Sequence, residues 1–392
     1  MRSATTSDEL RAHNRARLLR VVHDSGASLT RSEVTRRLGM SRGTASVLVA
    51  ELTRARLLAE SPPQRAARGR PTRIPGPHPD GPVVVAAEVR EDFWRVARGE
   101  LGGGVAVVES NLHDGVSSQV FGELTDVLSR RIADLAPRVV GVGLSVAGPV
   151  RDGRLFHISH LDWRELDVGE LLRLETPVFP ENDATLAGLA EARRGALRGV
   201  DAAIHLHVDF DVGGSLLADG RAVRGTRGVA GEFGHMPLSG GDAPCPCGAT
   251  GCWSLNVGTN ALLRGYGLDV DYRQRRRDAK TVLDRADRGD AAARVAVEDV
   301  AAAMGRGIGA LVNAHDPRTV TVSGFGVDLM ACAGDLVRDS CRDALMSFHR
   351  DAPPDVVPSA IGPDGPLIGA AETVFDEFLT SEGLRGWMAA QD

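Results

Sequence analysis

GTRGVAGEFGHMPLSGGDAPCPCGATGC, the stretch from Gly225 to Cys252, gathers one imidazole and three thiols into a short loop: His235, Cys245, Cys247 and Cys252. One nitrogen and three sulfurs form a soft tetrahedral donor set suited to zinc, and four protein ligands close the coordination sphere. A metal held that way organises its loop and offers no open position for an activated water. Gly248 and Gly251 supply the backbone freedom for turns that bring three sulfurs onto one ion. The competing account is three reduced surface cysteines beside a core histidine. Five cysteines in the chain, three of them crowded here, suit a metal cluster better than a secreted disulfide framework.

Around this loop the hydrophobic pattern alternates between strand and helix. Ala202–Val208 and Ser215–Ala218 read as strands, Asp299–Asn313 as a helix of small residues, and Thr319–Ser323 as a further strand. The same order occurs earlier. Val83–Ala87, Trp94–Ala97 and Val105–Val108 are strand candidates separated by turn-length segments. Phe121, Leu124, Leu128, Ile132 and Leu135 then trace one helical face, and the apolar strand Val139–Val146 ends at a Gly148-Pro149 turn. A βββαβ order met twice predicts an α/β body of two lobes, about 80–180 and 181–375, enclosing a cleft, with the C-terminal helix returning to the first lobe.

A chain of 392 residues, 43% hydrophobic and 25% charged, has the make-up of two or three globular domains and excludes a disordered or fibrous chain. The N-terminal MRSATTSDELRAHNRARLLRVV carries charges where the apolar core of a signal peptide would sit. The longest uncharged apolar stretch, Val139–Val150, is too short to span a bilayer. A cytoplasmic protein without a membrane partner is expected. The formal net charge of −6 hides an asymmetry: residues 1–75 hold fifteen Arg against six Asp or Glu, a balance of +9, which leaves −15 for the remainder. A basic head on an acidic body assigns any nucleic-acid contact to the head.

That head, residues 1–79, reads as a winged helix-turn-helix. Asn14–His23 has helical apolar spacing, and Thr30-Arg-Ser-Glu33 fits a capping box ahead of a short helix ending at Leu38. Gly39-Met40 turns the chain, Ser41 caps a third helix, and Ala45, Leu48, Val49 and Leu52 fall on its inward face. Arg42, Gly43, Thr44, Ser46 and Val47 are left facing outward, as on a recognition helix in a major groove; Arg42, Thr44 and Ser46 are the candidate DNA-contacting side chains there. Leu57–Glu60 and Thr72–Pro75 flank a tip holding Arg65, Arg68 and Arg70, and Arg68 and Arg70 are positioned to enter a minor groove. Pro75–Pro79 reads as a stiff hinge. A protein-interaction module with a solvated arginine loop is the alternative.

The Gly225–Cys252 stretch resembles the signature of the ROK family of repressors, uncharacterised reading frames and sugar kinases. Glu181-Asn-Asp183 with the following Ala184–Glu191, and Gly141–Gly148 before it, resemble the family's sugar-site segment and its preceding strand. The likeness covers roughly residues 80–375 and implies a two-lobed, actin-like (ribonuclease H-like) body. A winged helix-turn-helix ahead of it is the arrangement of the family's repressors rather than its kinases. The resemblance implies operator DNA as partner, a homodimer or homotetramer, a structural zinc, and a sugar cleft lined by Asn182, Asp183, Glu232 and His235. His235 would ligate zinc through one nitrogen and meet a sugar hydroxyl through the other. Read without the resemblance, Asn182 and Asp183 form a helix N-cap, and both roles can coexist. Where the family usually has a glutamate two residues after the last zinc cysteine, this chain has Ser254.

In the family's kinases the residue matching Asp183 is the catalytic base, yet phosphoryl transfer also needs a cradle for the phosphates. The first loop should resemble Asp-x-Gly-x-Thr, and here it is Glu88-Val-Arg90-Glu-Asp92. The second should resemble Gly-Thr-Gly-Val-Gly-Gly-Gly, and here it is Asp209-Phe-Asp211-Val-Gly213-Gly-Ser215. Only Ser323-Gly-Phe-Gly326 keeps part of the third. Bare carboxylates at 209 and 211 would oppose a nucleotide by about 1–4 kcal/mol each. The expectation is therefore a regulator, not an enzyme, with Asp183 as a hydroxyl acceptor. The rival readings are an ATP-dependent sugar kinase with a fused head, or a regulator sensing a partner protein or a phosphosugar through Arg90 or Arg224. Cys332 and Cys341 read as buried reduced thiols.

Overall fold

The computed structural model describes residues 7–62, 73–271 and 273–391. Its head comprises α1 (Ser7–Asp24), α2 (Arg31–Arg37), α3 (Arg42–Arg54) and the antiparallel pair β1 (Leu58–Ser61) and β2 (Ile74–Pro77). The first lobe follows with β3 (Val83–Val89), β4 (Phe93–Glu100), β5 (Val105–Leu112), α4 (Ser117–Leu135) and β6 (Val139–Val146). Then come a small sheet of β7 (Val150–Arg151), β8 (Leu155–Ile158) and β9 (Trp163–Asp167), α5 (Val168–Leu172), β10 (Val178–Asn182) and α6 (Asp183–Arg194). The second lobe holds β11 (Ala202–Val208), β12 (Val212–Ala218), β13 (Arg221–Ala222), α7 (Thr259–Tyr266), α8 (Arg275–Asp287) and α9 (Ala291–His315). It closes with β14 (Thr319–Gly324), α10 (Phe325–Ala344), α11 (Ser347–Asp351) and β15 (Asp355–Pro358), after which α12 (Gly365–Phe378) and α13 (Ser381–Ala389) end the chain.

The two large sheets have one topology. In order, β5-β4-β3-β6-β10 matches β13-β12-β11-β14-β15: an antiparallel meander of three strands whose first strand also pairs in parallel with the next strand after the helices. The strands β3, β6, β11 and β14 are buried almost throughout because both faces are covered, as parallel strands require; β3 and β6 are mostly apolar, whereas β11 and β14 bury His205, His207, Thr321 and Ser323. α9 and α10 cover the second sheet, while α12 returns to lie on β3 and β6 of the first. α6 lies between α12 and strands β11 and β12, so one helix touches both lobes.

The head follows from its sequence signals. Thr30 and Glu33 exchange the expected pair of bonds, Thr30 N–H to the Glu33 carboxylate at 2.8 Å and Glu33 N–H to the Thr30 hydroxyl at 3.4 Å. Ser41 accepts from Thr44 N–H at 3.1 Å, and Ala45, Leu48, Val49 and Leu52 are buried. Residues 63–72, with Arg65, Arg68 and Arg70, lie outside the described residues. The proposed hinge is corrected: Ile74-Pro-Gly-Pro77 is the second wing strand, with Leu58 opposite Pro77 and Ser61 opposite Ile74. Proline is tolerated there because β2 belongs to a two-stranded sheet and needs no ladder donor on its outer edge.

Nor does the head hang free. Leu18, Leu19, Val22, Leu52 and Leu57 share one core with Val84, Ala86, Leu367, Phe375 and Trp387 of the body. Each fully buried Leu, Val or Phe among them contributes about 1.5–3 kcal/mol of transfer free energy. The Trp387 indole N–H donates to the Ala55 carbonyl at 2.8 Å, pinning α13 to the end of α3.

Candidate ligand cleft and metal loop

Four loops converge between the lobes, each leaving the C-terminal end of a strand: Arg90-Glu91 after β3, Ala147–Pro149 after β6, Asn182-Asp183 after β10, and Asp209–Asp211 after β11. Open α/β sheets bind ligands at this end. The cavity there is lined by Asn182, Asp183, Glu232 and His235 together, with His157 and His160 from the small sheet and Cys245 and Cys247 from the metal loop. Ser254 does not line it. It is buried against β12, its hydroxyl 3.5 Å from the Val212 carbonyl.

Asn182 caps α6, accepting from Thr185 N–H at 3.0 Å, while its amide nitrogen donates to the Gly148 carbonyl at 3.0 Å. Both contacts fix the side chain at the cavity wall. Asp183 accepts from Ala184 N–H at 2.8 Å, and its other oxygen lies 3.4 Å from the Arg90 guanidinium. Burial pushes its carboxyl up to about 7, although Arg90 opposes the shift. Glu232 is likewise pushed up, to about 7, by burial and by the charges of Asp211 and Asp183.

The phosphate-loop positions hold an ion cluster that the sequence reading did not find. Arg90 donates to Asp209 at 2.6 Å and to His207 Nε2 at 2.9 Å, and Arg276 reaches the same Asp209 oxygen at 2.7 Å. Asp209 is therefore not the bare, repelling carboxylate expected. Despite burial, Arg90 and Arg276 hold it well below the carboxylate range. Arg90 in turn is enclosed by Asp209, Asp183, Glu91 and Glu88, so it is not a free phosphate acceptor; Arg224 faces Glu181 at 3.2 Å. Asp211 pairs with His160 at 3.1 Å.

Because the Arg90 guanidinium can only donate, His207 accepts on Nε2 and donates through Nδ1 to the Ser323 hydroxyl, 2.7 Å away. Ser323 then meets His205, which reaches Thr321. Burial, with Arg90 beside His207, holds both histidines near 3, so they stay neutral. The period-2 spacing of His205 and His207 was the only sequence signal of this chain of bonds.

In the metal loop, the ligand atoms of His235, Cys245, Cys247 and Cys252 all lie within 4.8 Å of one another. Cys247 and Cys252 sulfurs are 3.7 Å apart, and Cys245 Sγ is 3.8 Å from His235 Nδ1. A tetrahedron of metal–sulfur bonds near 2.3 Å has edges of about 3.7 Å, so the set fits zinc. Gly248 and Gly251 have φ of +95° and +66°, the left-handed turns that the loop requires. Nδ1 faces the sulfurs, which leaves Nε2 of His235 toward Glu232, 3.8 Å away at the cavity wall.

A winged-helix head fused to a two-lobed, actin-like body with a cleft and a four-ligand metal loop defines the class of this protein. The chain belongs to the ROK family, whose profile matches residues 116–377, and the MarR family profile matches residues 12–69. It is 30% identical over 258 residues to a glucokinase of Halalkalibacterium halodurans, covering 62% of this chain and 75% of that one. It is 21% identical over 364 residues to the xylose repressor of Bacillus spizizenii, covering 90% of this chain and 92% of the repressor. Among solved structures, a ROK family transcriptional regulator described as a homologue of the E. coli MLC protein superposes with a TM-score of 0.74 at 19% identity, over 97% of this chain and 99% of that one.

Proposed function

We propose that this chain is a sugar-responsive transcriptional repressor. The observation that carries the reading is the outer face of α3: Arg42, Thr44, Ser46 and Val47 are exposed on a helix whose opposite face is locked into a core shared with the ligand-binding body. In this reading Arg42 meets a base edge or phosphate, Thr44 and Ser46 sit at the groove, and Arg68 and Arg70 of the wing tip add minor-groove contacts. The likeness to xylose repressors makes a neutral sugar such as xylose the first effector to test. Asn182, Asp183, Glu232 and His235 are the donors and acceptors proposed to hold its hydroxyls. Zinc at His235, Cys245, Cys247 and Cys252 would fix the loop that carries His235, a structural and not a catalytic role. Two-fold operators call for a two-fold protein, so a homodimer or homotetramer acting in the cytoplasm belongs to the proposal. Among the described residues no helix is long and apolar enough to cross a membrane.

One observation favours a second reading. An aspartate near 7 at the sugar site suits a general base, and the glucokinase relative points the same way. Against kinase activity stands the cluster of Arg90, Asp209 and Arg276, which fills the phosphate-loop positions with charges paired to one another. A gel shift on DNA upstream of the protein's own gene, run beside a coupled assay for sugar-dependent ADP release, separates the two. Retention without ADP release supports the repressor, and ADP release abolished by Asp183→Asn overturns it.

A further inference from the structure

α6 begins in the cleft and ends at the head. Its N-cap, Asn182, and first residue, Asp183, line the cavity; at its other end, about 15–18 Å along the axis, Arg193 and Arg194 reach the C-terminal end of α1. Arg194 donates to the His23 carbonyl at 2.7 Å and, through two nitrogens, to Glu372 of α12 at 2.6 and 2.8 Å. The other Glu372 oxygen is 2.9 Å from His23 Nε2. Gly102 N–H donates to His23 Nδ1 at 3.0 Å, and Nε2 faces both Glu372 and an Arg194 nitrogen 2.8 Å away. His23 and Glu372 are 0% and 1% exposed. Beside them Asp376 is gripped by Arg193 at 3.0 Å and by Arg20 of α1. Arg198, just beyond α6, donates to the Asp24 carbonyl at 3.3 Å.

The helix between these two ends cannot bend to absorb a displacement. Asp183 to Glu191 are all buried. A Cβ on Gly369 of α12 would stand 2.0 Å from the Leu186 carbonyl, and one on Gly188 would stand 2.2 Å from the Ser215 hydroxyl of β12. Backbone and strand thus grip α6 from two sides at van der Waals contact, and close-packed elements shift as rigid bodies between discrete seats.

We propose that α6 is the rod that carries the state of the cleft to the DNA-binding head, with Arg193 and Arg194 as positioning residues that hand its movement to α1 through Glu372 and Asp376. The proposal rests on the sugar-responsive repressor reading. A ligand on Asn182 and Asp183 that seats α6 differently must move Arg194, and Arg194 cannot move without either carrying the His23 carbonyl with it or breaking the buried trio. Because ligand and DNA are coupled through one free energy, the rod works in both directions.

The test uses the full chain. Operator affinity is read by anisotropy of a labelled duplex from upstream of its own gene, with and without D-xylose or D-glucose, and sugar binding by calorimetry. In the wild type the sugar that binds changes operator affinity about tenfold or more. Arg194→Ala binds that sugar with unchanged affinity, yet the ratio of operator affinities with and without it falls to within about twofold of unity. Arg194→Lys restores part of the ratio. A ratio in Arg194→Ala equal to that of the wild type overturns the proposal. A second arm needs no sugar: Asn182→Ala removes the cap of α6, and amide exchange at Leu18–Asp24 is followed. Exchange there quickens at least threefold in the wild-type background and stays unchanged in Arg194→Ala. Purely additive effects overturn the rod even if no sugar binds, whereas a wild type that binds no sugar overturns the sensor reading alone.

Discussion

Replacing Glu372 with glutamine keeps the shape of the His23, Arg194 and Glu372 trio and deletes its negative charge. Burial would raise the Glu372 carboxyl, but His23 and Arg194 hold it down at about 2, against 4.5 when free. A group depressed on folding contributes stability that is complete above its unfolded value and is lost as pH falls through the folded one. The window here runs from about 4.5 down to about 2. The displacement corresponds to about 3 kcal/mol at neutral pH, and the carboxylate is 1% exposed, so solvent screening takes little of it. Urea unfolding followed by tryptophan fluorescence should place Glu372→Gln about 3 kcal/mol below the wild type at pH 7 and show the gap narrowing as both are taken toward pH 3. A variant within about 1 kcal/mol of the wild type at pH 7, with the same acid slope, would show that the trio does not bind the head to the body.

Three further outcomes are expected. Arg42→Ala should weaken operator binding by about 1–3 kcal/mol and lower the steepness of its salt dependence, measured by anisotropy across a salt series; unchanged affinity would move DNA contact off α3. Sugar affinity should rise between pH 6 and 8, as Asp183 and Glu232, both held near 7 by burial, ionise and become acceptors only; Asp183→Asn should make that profile shallower in calorimetry, and Asp183→Asn with Glu232→Gln should flatten it. Purified protein should release one zinc per chain on thiol modification, and Cys252→Ser should lower the melting temperature while leaving the head folded by amide exchange; a metal-free, fully stable protein would refute the four-ligand site.

Local patterns were legible in the sequence where the physics is local. The capping box at Thr30 and Glu33, the inward face of Ala45, Leu48, Val49 and Leu52, and the repeated βββαβ order each depend on residues a few positions apart. The spacing of His235, Cys245, Cys247 and Cys252 belongs with them, since one loop suffices to bring the atoms together. What escaped depends on partners distant in the chain. His23 and Glu372 are 349 positions apart, and Arg90 meets Asp209 only because two lobes face each other. Lone arginines and acids carry no mark of their mates, so Asp209 read as bare charge when it is neutralised from two sides. Pro75–Pro79 reads as a hinge because proline discourages strands in general, although Pro75–Pro77 lie in an outer strand of a two-stranded wing that loses nothing by it.

The most direct measurement is operator binding by the intact protein across a panel of neutral sugars, with ADP release monitored in the same samples in the presence of ATP and magnesium. The account predicts that at least one sugar shifts operator affinity about tenfold or more while no ADP forms. Operator affinity indifferent to every sugar that binds, or sugar-dependent ADP formation lost in Asp183→Asn, would contradict it.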